Sequence, residues 1–141
     1  MTCGFLTPLR METLAPMRWL LLDDLAFMSA RYRGVFVVPA GFQTDLASIP
    51  RPLWGLVPKV GAHDRAAVLH DAAYAHALLT ERGRPVRAIK RVADALFDEA
   101  MRADGVPRVR RVLMVAAVRQ FGDPDVHPLA AHARGVAEVV R

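Results

Sequence analysis

The sequence predicts an α+β domain in which a small N-terminal antiparallel sheet precedes a bundle of three or four helices. Three observations carry this, the first two being that short β-branched and aromatic runs fall before Val38 and that apolar residues at helical spacing fall after Asp64. The third is the segment between them. From Pro39 to Gly61 the chain holds Pro39, Gly41, Pro50, Pro52, Gly55, Pro58 and Gly61, a density of breakers that forbids a long helix or strand. At 141 residues the chain has the size of one domain, 1–141. Residues 1–12 read as a loose N-terminal extension, since Met11 and Met17 are alternative starts.

Taken in order, Leu20 to Met28 holds a short apolar run, Arg31 to Gly34 reads as a hairpin turn, and Gly34 to Val38 (GVFVV) is a strand closed by Pro39. The Pro/Gly-rich stretch that follows is a long loop, and long loops in small domains usually carry function. Asp64 to Leu79 (DRAAVLHDAAYAHALL) is rich in Ala and Leu, has an acidic first turn and lacks Gly and Pro, so a helix is expected there, ended by Gly83 and Pro85. Val86 to Ala103 repeats apolar residues at helical spacing and gives a second helix, closed by Gly105 and Pro107. Arg108 to Phe121 is a third helix with a broad apolar face, stopped by Gly122. His127 to Val140 either forms a last helix or trails along a partner.

Lys and Arg number 19 against 14 Asp and Glu, a net charge of +5 that attracts DNA, anionic lipid or an acidic protein face without choosing among them. No nucleic-acid-binding motif is present. The single cysteine, Cys3, excludes a disulfide framework and a cysteine-rich zinc site. The apolar run at Trp19 to Leu22 breaks at Asp23 and Asp24, so no transmembrane segment is expected, and the first residues lack the pattern of a signal peptide.

The chemistry-bearing cluster is H-D-x-x-Y at His70, Asp71 and Tyr74, followed by A-D-x-x-F with Asp94 on the next helix. His70 and Tyr74 are four residues apart and share a helix face, and Asp71 lies about 100° round from His70. Two helices joined by a short Gly- and Pro-containing connection pack antiparallel, which brings Asp94 to the height of His70 and Tyr74. A carboxylate on one imidazole nitrogen fixes the tautomer and leaves the other nitrogen to take a proton from water, the arrangement of a general base. The same residues also suit a buried structural network, because any interior polar side chain must find partners. Asp71 could ligate a hard cation with loop carbonyls. Asp45 could meet Asp71 at that cation, or pair with Arg51 or Arg65.

Asp64 to Tyr74 (D-x-A-A-x-x-H-D-x-A-Y) with Ala93 to Phe97 resembles the catalytic helix pair of phospholipase A2, most closely the cysteine-free form in parvovirus capsid proteins. The resemblance implies His70 as base, Asp94 and Tyr74 as the residues that orient it, Asp71 as a calcium ligand, and phospholipid ester as substrate. The segment before the first helix departs from that family's glycine-rich calcium loop: it offers only Gly55 and Gly61, with Trp54, Pro58 and Lys59 between.

A broader resemblance runs from Val38 to Trp54 (VPAGFQTDLASIPRPLW) through the H-D-x-x-Y and A-D-x-x-F segments to Ala117–Gly122 (AVRQFG). Over these motifs the chain is similar to the family called domain of unknown function 1353, encoded in bacteriophage and prophage genomes. That likeness implies a virion- or tail-associated protein with other phage structural proteins as partners, resident in the virion or in the host cytoplasm during assembly. It leaves two readings open: a hydrolase acting at the cell envelope, or a non-catalytic component that uses the hairpin as a packing core.

The remaining candidates have plainer readings. Thr44, Asp45 and Ser48 suit turn capping. His63 fits an exposed helix start, His76, His127 and His132 show no metal-like grouping, and Arg108, Arg110 and Arg111 form a solvated basic face. Trp19 and Trp54 suit core or interface anchors.

Overall fold

The computed structural model describes residues 3–16, 18–45, 62–122 and, for the backbone, 138–140. They form the expected α+β fold, a strand-rich N-terminal half followed by three helices.

The strands are β1 (Gly4–Phe5), β2 (Met11–Ala15), β3 (Arg18–Leu21), β4 (Leu25–Ser29), β5 (Gly34–Val38), β6 (Gln43–Thr44), β7 (Leu79–Thr80), β8 (Val86–Ala88) and β9 (Glu138–Val140). The helices are α1 (Asp64–Tyr74), α2 (Lys90–Ala103) and α3 (Arg108–Phe121). One antiparallel sheet has the order β1-β4-β5-β7 and a second has β2-β3-β6. The hairpin of the first sheet pairs Leu25 with Val38 and Phe27 with Phe36 across the turn at residues 30–33, where the sequence placed it. Alternation sets its faces: Leu25, Phe27, Phe36 and Val38 are buried, while Ala26, Met28, Val35 and Val37 are half-buried.

Helix α1 is buried from Ala66 to Tyr74, because its alanines let the sheets and the other helices approach on every side. Helix α2 buries one stripe, including Val92, Leu96, Phe97 and Met101, and α3 buries Met114, Val115, Ala117 and Val118. Contacts between α1 and α2 run in opposite chain directions. Arg65 bonds Asp104, His70 meets Asp94, and Tyr74 meets Lys90, so the pair is antiparallel as expected.

Several expectations need correction. Helix α1 ends at Tyr74 rather than Leu79. His76 takes a left-handed conformation (φ 56°), and the chain turns so that Leu79 and Thr80 pair with Val37 and Phe36 at the sheet edge. The second helix starts at Lys90 rather than Val86. Val86, Arg87 and Ala88 alternate buried, exposed, buried as a strand, and Ile89 is extended. A two-letter alternation over three residues is too short to show within an apolar run that also fits a helix. Residues 3–12 are ordered into the sheets rather than loose: β1 pairs with β4, Phe5 packs on Phe27 at 4.9 Å between ring centroids, and Met11 and Glu12 belong to β2. Of the segment His127 to Val140, expected either as a last helix or as a trail along a partner, only Glu138–Val140 is described, and it is a strand that pairs in parallel with β8. The sheets also continue past Val38 with β6 and β7. The rest of the Pro/Gly-rich loop, from residue 46 to 61, lies outside the described residues and takes Ser48, Arg51, Trp54 and Lys59 with it, as do His127 and His132.

Candidate functional site

Helix α1 presents His70 and Tyr74 one turn apart, and α2 presents Asp94 to both. All three are buried, with His70 at 2% and Asp94 at 2% exposure. His70 Nε2 lies 2.8 Å from Asp94 Oδ1, and the Tyr74 hydroxyl donates to the same oxygen at 2.6 Å. The imidazole packs between two rings, with centroids 4.1 Å from Tyr74 and 4.7 Å from Phe97. Phe97 is the final residue of the A-D-x-x-F segment, so that motif supplies both the carboxylate and one wall of the imidazole's slot.

The sequence reading missed Lys90. Its ammonium donates to Asp94 Oδ2 at 3.0 Å, to the Tyr74 hydroxyl at 3.0 Å and to the Val118 carbonyl at 2.7 Å. The signal was present as Lys90 and Asp94 at i, i+4, but a lysine preceding an acid is the weaker order on an isolated helix, and a cation in a first turn opposes the helix dipole. Tertiary structure reverses that preference. Lys90 also reaches the carbonyl end of α3, where a cation is favoured.

Gly122 completes the cluster. Its N–H donates to the Val118 carbonyl at 2.8 Å, and a Cβ placed on it would stand 2.5 Å from the Tyr74 hydroxyl and closer still to the Val118 oxygen. A glycine is therefore needed where the A-V-R-Q-F-G segment ends. The backbone conformation does not demand it, since φ is −70°.

Asp94 has its carboxyl held below the ordinary value. Burial, the largest influence, pushes it up, but the hydrogen bonds from His70, Tyr74 and Lys90 and the charge of His70 together outweigh burial. An ionised Asp94 accepts Nε2–H and so selects the tautomer in which Nδ1 is the basic nitrogen of His70.

Asp71, the expected metal ligand, is buried and accepts the Thr44 hydroxyl on Oδ2 at 2.5 Å, which ties β6 to α1. Asp45 is exposed. Among the described residues no group of three or more His, Cys, Asp and Glu side chains is placed to hold a metal ion. The loop carbonyls expected to join Asp71 at a cation belong to residues 46–61, which lie outside the described residues. His63, expected at an exposed helix start, is buried instead and stands 3.8 Å from the Asp64 carboxylate. Arg65, one of the partners offered for Asp45, pairs with Asp104 at 2.6 Å.

The sequence pattern of one protein family, described as "Protein of unknown function (DUF1353)", matches residues 19–118. The chain belongs to the DUF1353 family. The matched span runs from β3 into the last turn of α3, so it contains His70, Asp71, Tyr74, Lys90, Asp94 and Val118 and stops short of Gly122. No curated protein and no solved structure was found to match the chain. Among the described residues no helix is long and apolar enough to cross a membrane.

Proposed function

We propose that this DUF1353 protein is a hydrolase of a bacteriophage particle that uses the His70–Asp94 pair to activate water against a phospholipid ester at the cell envelope. The observation that supports the chemistry is the double use of Asp94 Oδ1, which takes Nε2 of His70 and the hydroxyl of Tyr74 together. In this reading the His70 imidazole removes a proton from water as the water oxygen bonds to the ester carbonyl carbon. The tetrahedral adduct then expels the alkoxide, which leaves with that proton from the imidazolium. Asp94 keeps the ring oriented and offsets its transient charge. Tyr74 and Lys90 keep Asp94 in place. The particle assignment rests on the likeness of the G-F-x-T-D-x-A-S-I-P-R stretch, Gly41 to Arg51, to phage-encoded sequences.

The test is release of fatty acid from mixed micelles by the wild type and by His70→Ala, with and without a calcium chelator. The proposal expects turnover that falls roughly 100- to 10,000-fold in His70→Ala with the fold retained. Proteomic detection of the chain in purified particles checks the assignment to the virion. A wild type without turnover in both conditions overturns the hydrolase.

Lys90 favours a second reading, in which the cluster is the packing core of a non-catalytic particle component. One ammonium joining the Asp94 carboxylate, the Tyr74 hydroxyl and the Val118 carbonyl ties all three helices together. That reading expects no turnover and a loss of about 1–3 kcal/mol in His70→Ala from interior partners left unpaired.

A further inference from the structure

We propose that the outer face of α3 docks the protein on an anionic phospholipid surface. The helix carries Arg108, Arg110, Arg111 and Arg119 and no acidic residue. Its inner face is spent on the core through Met114, Val115, Ala117 and Val118. The outer face is apolar where water would favour polar side chains: Val109 is 75% exposed, Val112 56% and Leu113 41%. At about 100° per residue these three, with the exposed Ala116, form one band roughly 100° wide. Arg108 and Arg119, three turns apart along the helix, both fall on one edge of that band and are both exposed. Phe121, 60% exposed, adds apolar surface at the C-terminal end.

Charge complementarity selects the occupant. A second copy docked through the same face would set one acid-free, four-arginine helix against another, which is repulsive. Apart from Gln120 the band is aliphatic, with its arginines at the edge and Phe121 beyond its end, so it lacks the central aromatic anchors that dominate protein interfaces. Aliphatic side chains beside arginines that can extend toward headgroups match a helix lying in the plane of a lipid interface. Arg111 is the partial exception, with Nε held by Asp98 at 2.7 Å. Docking through α3 requires no hydrolysis at His70.

Vesicle flotation of the full chain tests it, with phosphatidylcholine alone and with phosphatidylglycerol added. The wild type is expected to float with the anionic vesicles and to release at high salt. Arg108→Gln with Arg119→Gln is expected to weaken binding about 25-fold, roughly fivefold per arginine. Val109→Ser with Val112→Ser is expected to weaken it at unchanged charge. All four positions are exposed, so the melting temperature of each variant serves as the folding control. Absence of wild-type binding overturns the proposal, as does equal binding by the serine variant. A concentration-dependent dimer abolished by Val109→Ser with Val112→Ser, without vesicle binding, assigns the face to a second copy. Tighter binding to polyglutamate than to vesicles assigns it to an acidic protein. Vesicle binding retained in His70→Ala separates docking from chemistry.

Discussion

Asp94 and Glu99 stand five positions apart on α2, and each accepts at least three hydrogen bonds, but the donors differ in kind. Asp94 is met by an imidazole, a phenol and an ammonium. Glu99 is met by the Ser29 hydroxyl at 2.7 Å, the N–H groups of Ala30 at 2.8 Å and Arg31 at 3.2 Å, and the Cys3 thiol at 3.2 Å. The hydroxyl and amides around Glu99 hold their protons at any ordinary pH, and the Cys3 thiol, raised above its ordinary 9.0, holds its proton at neutral pH, so that carboxylate ties the β4–β5 turn and Cys3 to α2. Around Asp94 the imidazole has one ring nitrogen that donates and one that accepts, so it is a group able to pass a proton on. Dense hydrogen bonding therefore does not by itself mark a reactive site. The nature of the donors separates a clamp from a candidate for proton transfer.

The strongest way to break that distinction is to remove each charge in turn. Asp94→Asn keeps the shape but favours the wrong imidazole tautomer, and under the hydrolase reading turnover falls roughly 100- to 10,000-fold. Glu99→Gln is expected to leave turnover within a few-fold while lowering the melting temperature. Equal losses in both variants, read in the same micelle assay, would place the two carboxylates in one class.

Much of this arrangement was legible in the sequence, for reasons that also explain what was not. His70, Tyr74 and Asp94 could be brought together because helical spacing and an antiparallel hairpin are local rules that act on few residues. Lys90 and Gly122 escaped them. The lysine acts on the C-terminal end of α3, 28 positions along the chain, and the glycine is required by the approach of Tyr74, so both answer to tertiary contacts. Glu99 was missed for the same reason: its partners lie 68 to 96 positions away. The misplaced helix ends at Leu79 and Val86 have a common cause. Segments of two and three residues become strands only because β5 and β9 are there to pair with them, which no window of local sequence contains.

A smaller effect sharpens the Asp94 side of the comparison. Gly122→Ala forces a methyl onto the Tyr74 hydroxyl and the Val118 carbonyl, and overpacking of this kind costs about 1–3 kcal/mol. Tyr74→Phe in the Gly122→Ala background removes one of the two clashes, so the pair should be less destabilising than the sum of the single changes in denaturant titration. Strict additivity would mean that the close approach does not bear on the cluster.

Acid titration reads the same carboxylate by another route. Asp94 has a folded-state pKa below its ordinary value, so its contribution to stability is fully present above the unfolded value of about 3.9 and is lost as pH falls from there toward the folded one. Stability measured against pH should therefore decline less steeply below about pH 4 in Asp94→Asn than in the wild type. Superimposable acid limbs would show that the hydrogen bonds to Asp94 do not favour its ionised form.

The smallest effect lies on the Glu99 side. The Cys3 thiol sits above the ordinary 9.0, first because burial disfavours the thiolate and next because the thiol donates to Glu99 and feels its charge. At neutral pH Cys3 is therefore a slow nucleophile, since thiolate carries the reaction. Glu99→Gln keeps an acceptor oxygen but removes the negative charge, while burial remains. The alkylation rate of Cys3 by iodoacetamide should rise a few-fold, and its midpoint on the pH axis should move down. A midpoint that moves down would show that the charge of Glu99 adds to burial in restraining the thiol. A rate that does not change would show that the contact between Cys3 and Glu99 carries no electrostatic weight, leaving, among the described residues, Ser29, Ala30 and Arg31 as what Glu99 holds.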